Sequence, residues 1–220
     1  MIAALLRSIL QLTDPPIRRV IWISVLATVG AFVILAFGVS GLLYALHVTG
    51  IGWLDKAVGA LGGIAELGLA YLLFPAVVPA VSSLFLDDVA AAVERRHYPL
   101  AGPARSAPLA ELLVGTLRFL AVSIALNLLA LPLYLVPGMN LAVFLGLNGY
   151  LLGREYYEQV AERRLDLPAL TALRRRHRLR LFVAGVVICG LAALPLVNLL
   201  APVIACAFMV HLFQRLPGRA

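Results

Sequence analysis

Residues 126–140 read LNLLALPLYLVPGMN, inside an uncharged run that extends from Phe119 to Gly153. Pro132, Pro137 and Gly138 fall in the middle of that run. Proline removes a backbone donor and fixes φ, glycine opens the left-handed region, and together they mark a turn. From Phe119 to Pro132 is 14 residues, or about 21 Å of helix. The hydrocarbon core of a bilayer is about 30 Å thick. Each arm falls short of a crossing, so the segment is read as a helical hairpin over 119–153 that enters the bilayer and turns back. A single kinked span is the competing reading. Backbone at a turn inside a membrane must be buried in protein or face water.

The rest of the chain sets the context for that hairpin. Of 220 residues, 62% are hydrophobic and 13% charged, more apolar surface than a soluble domain of this length can bury. Val20 to Leu54 has no charged residue, Ala57 to Leu86 has only Glu66, and Leu181 to Gln214 has none. Runs of about 18 or more apolar residues are candidate membrane segments. The chain is expected to be an all-α integral membrane protein.

Basic residues fix the expected topology. The net charge of +7 would raise nucleic acid as a partner in a soluble protein. Here the excess of Lys and Arg on cytoplasmic loops explains it, and no nucleic acid is expected. Arg7, Arg18 and Arg19 precede the first long run, and only Lys56 lies in 47–56. Arg95, Arg96, Arg105 and Arg118 follow the second run; eight arginines occupy 154–180, and Arg215 and Arg219 close the sequence. One crossing at 20–46 and one at 57–86 put the basic segments inside and 47–56 outside. A single crossing at 119–153 would then place the eight-arginine segment outside, whereas a hairpin there, and another at 181–214, keeps every basic segment on one side. The two hairpins share a theme: Leu-Pro-Leu followed by a second proline in NLLALPLYLVPGMN and in LAALPLVNLLAPVIA.

The expected organisation is one membrane domain over 1–220. It comprises an interfacial helix over 1–19, spanning helices over 20–46 and 57–86, hemi-penetrating hairpins over 119–153 and 181–214, and a basic amphipathic cytoplasmic connector over 154–180. The first residues do not read as a secretory signal, because Arg7 interrupts a short apolar stretch and no small-residue cleavage site follows. Ala4, Arg7, Ser8 and Gln11 share one helical face and Ile2, Leu5, Leu6, Ile9 and Leu10 fall mostly on the other, a pattern that suits a helix lying in the membrane interface. Gly38 and Gly41 in the first span, and Gly59, Gly62 and Gly63 in the second, suit close helix approach.

Chemistry is sparse. No His-Glu-x-x-His, Gly-x-Ser-x-Gly or phosphate-binding Gly-Lys-Ser/Thr pattern occurs, and no enzyme activity, cofactor or metal is expected. His47, His97, His177 and His211 are dispersed and read as surface or interfacial. Cys189 and Cys206 read as small core residues. Glu66, the one carboxylate well inside a span, must be neutral, paired or facing water; proton coupling, a structural hydrogen bond and a headgroup-level position all fit. Asn127, Asn140 and Asn198, near the hairpin turns, either cap broken helices or line a polar path. In TDPPIRRVIW, residues 13–22, Thr13 or Asp14 can cap a helix that starts at Pro15, with Arg18 and Arg19 in its first turns. Two guanidinium forks beside amide dipoles suit an oxyanion; anchoring to lipid headgroups is the other reading.

The chain resembles the CysZ-type sulfate permeases and the related EI24-domain membrane proteins. The resemblance is carried by the Pro-x-x-Arg-Arg start of the first span, LFLDDVAAAVERRHYP, FLGLNGYLLGREYYEQVAERR and LPLVNLLAPV, with GREYYEQVAERR the most specific block. It implies two long spanning helices with two hemi-penetrating hairpins. It also implies uptake of sulfate or a related oxyanion across the bacterial inner membrane for cysteine biosynthesis. The implied anion site is Arg18 and Arg19 with Ile17 and Pro15 beside them. The family tends to carry Gly or Ala where this chain has Pro16, which lacks an N–H, and Asp14 adds a carboxylate nearby. The implied partners are the anion, membrane lipids and further copies of the chain. A non-transporting protein that organises lipids or partners through its basic cytoplasmic face is the competing function.

Overall fold

The computed structural model of the protein describes residues 2–46 and 81–218, together with Ala60, Gly63, Ile64, Gly68 and Val77. Glu66, Gly59, Gly62 and the 47–56 loop lie outside the described residues. All regular structure among the described residues is helical. In chain order the helices whose bounds are described are α1 (Ile2–Leu10), α2 (Pro15–Leu46), α3 (Leu86–His97), α4 (Leu109–Tyr134), α5 (Asn140–Ala161), α6 (Leu167–Arg176), α7 (Arg178–Ala192), α8 (Pro195–Asn198) and α9 (Ala201–Phe213).

The chain does reverse between α4 and α5, across a turn at 135–139 where Gly138 adopts φ 84°. The reversal point is later than the sequence implies. Pro132 sits inside α4, which continues to Tyr134. A proline there forfeits one amide bond to the preceding turn, but a helix in an apolar setting has no water to replace its remaining bonds and so continues. The two arms therefore have 26 and 22 residues, about 39 and 33 Å of helix, not the shorter arms counted from Phe119. The second hairpin has arms of 15 and 13 residues, about 22 and 20 Å, too short to span a 30 Å core.

By length and composition, α4 and the Pro15–Ile34 part of α2 can each cross a membrane. Their surfaces agree. On α4, Leu109, Leu113, Leu117, Leu120, Ile124, Leu128 and Leu131 recur at three- or four-residue spacing and are each at least half exposed. On α2, Trp22, Leu26, Ile34 and Phe37 are also exposed. An apolar face of this extent suits lipid, not water.

The core is α9, every residue of which from Ala201 to Phe213 is buried. Apart from His211 it is apolar around its circumference, as suits a fully surrounded helix, and α1, α3, α5 and α7 pack on it. Against it α1 and the turn that follows set a small and polar side: Ala4, Ser8 and Gln11 are buried, while Ile2, Leu6 and Leu10 point outward. The face expected to meet water is thus the protein-facing side.

Among the described residues, α5 and α7 approach to backbone contact. A Cβ on Gly185 would overlap the Gly149 carbonyl oxygen, and one on Gly153 would overlap the Leu181 carbonyl oxygen. Gly149-x-x-x-Gly153 is a small-residue motif that lets backbones touch. Among the described residues, no atom lies within 4 Å of a Cβ placed on Gly38, Gly41 or Gly63.

Candidate functional site

The helix start expected at Pro15 is observed, with Asp14, extended at φ −66° and ψ 134°, at its N-cap position. The Thr13 hydroxyl donates back to the Leu10 carbonyl at 2.9 Å, and the Asp14 carboxylate pairs with the Arg96 guanidinium of α3. Asp14 is therefore compensated by a cation from another helix. Pro15 and Pro16 have no N–H, and the Arg18 amide bonds the Asp14 carbonyl at 2.8 Å. Ile17 is thus the first residue of α2 with an amide hydrogen to offer, while its side chain is buried in the core. Arg18 and Arg19 are both exposed. Of the other candidates, Asn127 is exposed and donates to the Ser123 carbonyl of its own helix at 2.8 Å. Asn140 is exposed at the start of α5 and Asn198 ends α8.

Beside this helix start lies a buried polar chain that the sequence does not announce. His211 is fully buried on α9, not at a surface. Its Nδ1 lies 2.7 Å from the Tyr98 hydroxyl and its Nε2 lies 3.2 Å from Gln11 Oε1. A neutral ring protonated on Nε2 satisfies both, donating to Gln11 and accepting from Tyr98. His97 meets the same ring edge-on at 5.2 Å. The chain ties the residues after α1 and α3 to the core helix.

The GREYYEQVAERR block is also more structural than a solvated connector. Glu94 on α3 is buried and accepts from Arg163 Nη2 at 3.2 Å and from Arg164 Nη2 at 2.8 Å. Arg164 Nη1 in turn donates to the carbonyls of Ala101, Gly102 and Pro103. Arg105 forks onto Glu111, whose Oε1 also accepts the Leu167 amide at 2.8 Å. These bonds clamp α3, the 98–108 loop, α4 and α6 to the carboxyl end of α5. Their partners are 50 or more residues apart, apart from the local Arg105–Glu111 pair, so spacing alone could not have found them.

Among the cavities that flank the block, two have charged linings of opposite sign. One, of about 670 Å³, is lined by Arg154, Arg174, Arg175 and Arg178 with Leu179 and Phe182. The other, of about 340 Å³, carries Glu155, Glu158 and Glu162 against Gly115, Thr116 and Phe119.

Residues 4–202 match the protein family described as Sulfate transporter CysZ/Etoposide-induced protein 2.4. The chain belongs to this family. A comparison with curated proteins finds no match. The CysZ/EI24 assignment agrees with the resemblance read from the sequence and marks a membrane protein of transporter type. The match covers α2 with its arginine pair, the clamp on Glu94 and the first hairpin.

In this CysZ/EI24 chain the acidic cavity makes stability depend on pH. Burial, and then the carboxylates of Glu158, Glu111 and Asp87, push Glu162 up to about 7. A carboxyl whose folded pKa is raised stabilises the fold below its unfolded value and loses that contribution as pH rises through the folded one. Between about pH 4.5 and 7 the protein should therefore lose stability through this group. Glu162→Gln should raise the melting temperature in detergent by about 3 °C at pH 8 and leave it unchanged at pH 4. An equal effect at both pH values would assign the gain to something other than the charge.

Proposed function

We propose that the protein is a bacterial inner-membrane permease or channel for sulfate or a related oxyanion, supplying sulfate for cysteine biosynthesis. The observation that carries this reading is the start of α2. Two exposed guanidinium groups stand there on the first turns of a long apolar helix, and the one nearby carboxylate, Asp14, is held by Arg96. Arg18 and Arg19 bind the anion, and the Ile17 amide is the backbone donor that accompanies them. Glu66, Asn127, Asn140 and Asn198 are assigned to the pore or to coupling. The basic segments face the cytoplasm. The first hairpin has the length to cross and return, while the second enters part-way. Further copies of the chain complete the wall.

Labelled sulfate uptake into proteoliposomes, with binding measured on the same protein, tests this. Arg18→Ala and Arg19→Ala should each weaken binding by roughly tenfold to a hundredfold, the effect of losing a charged hydrogen bond. Lysine at either position should restore only part of it, because the fork is lost. Arg7→Ala is the control. Unchanged binding and flux in both alanine variants, with the protein folded and inserted, would make the two arginines headgroup anchors. Absence of flux in the wild-type chain would favour the lipid-organising reading, to which the arginine-lined cavity lends support.

A further inference from the structure

We propose that the cavity between α5, α6 and α7 is a binding site for one phosphodiester headgroup of an anionic phospholipid. Arg154 carries the argument. It is 4% exposed, and its guanidinium lies over the Phe119 ring at 5.3 Å from the centroid. Its Nε donates to Glu158 Oε1 at 2.8 Å. Among the described residues its remaining N–H groups have no protein acceptor, and Arg154 lines the cavity. A guanidinium this deep, with donors turned toward an open cavity, suits an anion seated there.

The surroundings supply charge without supplying that anion. Arg174 gives its own bond to the same Glu158 oxygen, at 2.6 Å, so one carboxylate is shared by two cations. Arg175 and Arg178 add two more guanidinium groups to the lining. Burial holds Arg174 below the usual arginine range; Glu158 opposes this, and the charges of Arg154 and Arg118 add to it. The cavity opens at the first turn of α7, whose amide dipoles also favour a negative group.

The apolar half of the lining selects a lipid over a free oxyanion. Leu179, 71% exposed, and Phe182 line the same cavity. Phe182 lies at the start of the uncharged run that leads from Leu181 into the second hairpin, and Leu179 is one turn before it. Arginines below and apolar side chains above match a headgroup with its acyl chains. Inorganic phosphate or sulfate would use the arginines and leave the apolar wall bare. The site is separate from Arg18 and Arg19, so it stands whether or not the protein transports an anion.

Native mass spectrometry of the full-length protein in detergent, titrated with phosphatidylglycerol, phosphatidylcholine or inorganic phosphate, tests the assignment. Phosphatidylglycerol should stay bound and phosphatidylcholine should not. The double variant Arg175→Gln/Arg178→Gln, at two exposed positions, should weaken phosphatidylglycerol binding by roughly thirtyfold. Arg176→Gln/Arg180→Gln removes the same charge from neighbouring positions and should change it by no more than about threefold. Equal losses in the two double variants, or no preference for phosphatidylglycerol over phosphatidylcholine, would reduce the cavity to part of a diffuse basic face and overturn the proposal. Inorganic phosphate binding in place of the lipid would overturn the lipid assignment. Circular dichroism of both double variants checks that the helices are intact.

Discussion

Gly185→Ala is expected to destabilise the protein by about 3 kcal/mol or more, and Gly185→Leu to prevent the bundle from forming. At this point α5 and α7 touch through backbone alone. The added methyl would coincide with the Gly149 carbonyl oxygen and press on the Gly153 amide. No side-chain rotation relieves a clash with backbone, so the helices must move apart. Overpacking costs about 1–3 kcal/mol where side chains can yield, and more where they cannot. Moving α7 also disturbs Leu181, Ala184 and Ile188, which are buried beside it. Unfolding in a denaturing detergent titration measures the effect. Gly190→Ala on the same helix and Gly146→Ala on α5 are the controls, because nothing lies within 4 Å of either new methyl. They should be neutral or stabilising by up to about 1 kcal/mol, the helix-propensity gain of alanine over glycine. If Gly185→Ala matches Gly190→Ala, the two helices do not cross at this point.

Glu94→Ala should cost about 3–5 kcal/mol, the range for removing one partner of a buried ion pair. Glu94 is 5% exposed and receives two guanidinium groups, from Arg163 and Arg164. Without it both cations face each other in a pocket largely closed to water. Arg164 also loses the partner that orients it toward the carbonyls of Ala101, Gly102 and Pro103, so the 98–108 loop should loosen as well. The melting temperature in detergent should fall by about 6–20 °C, at about 2–4 °C for each kcal/mol in a chain of this size. Asp87→Ala removes another carboxylate from Arg163, but one that is 75% exposed, and should cost no more than about 1 kcal/mol. A loss for Glu94→Ala no greater than that for Asp87→Ala would show that the clamp does not hold the fold.

Composition and charge made the class, the reversal at Gly138 and the start of α2 at Pro15 legible, because each depends on residues close in sequence. The end of α4 was misplaced by two residues. Pro132 forbids one hydrogen bond, and the rest of the helix holds without it. The α5–α7 crossing left half a signature, Gly149-x-x-x-Gly153; its partner Gly185 is identified only by the packing. The amino-terminal helix was read with its polar side toward water, since α9, the surface it covers, lies about 200 residues away. His211 was placed at a surface for the same reason: Gln11 and Tyr98, the groups that satisfy it, belong to other elements. At the candidate anion site, the pairing of Asp14 with Arg96 joins two segments that the sequence keeps apart. Local chemistry therefore gave the arginine pair and left its electrostatic setting to the fold.

The position of α9 in the chain has a consequence for biogenesis. The helices that rest on it, α1, α3, α5 and α7, are all made before it. During synthesis they have only lipid, or one another, to cover the faces that α9 will later fill. For α1 the wait is longest, and Gln11, buried just after it, has its partner His211 on α9 itself. The groups that α9 satisfies therefore wait for the last helix of the described chain, and tertiary closure is a late event that follows the synthesis of α1, α3, α5 and α7.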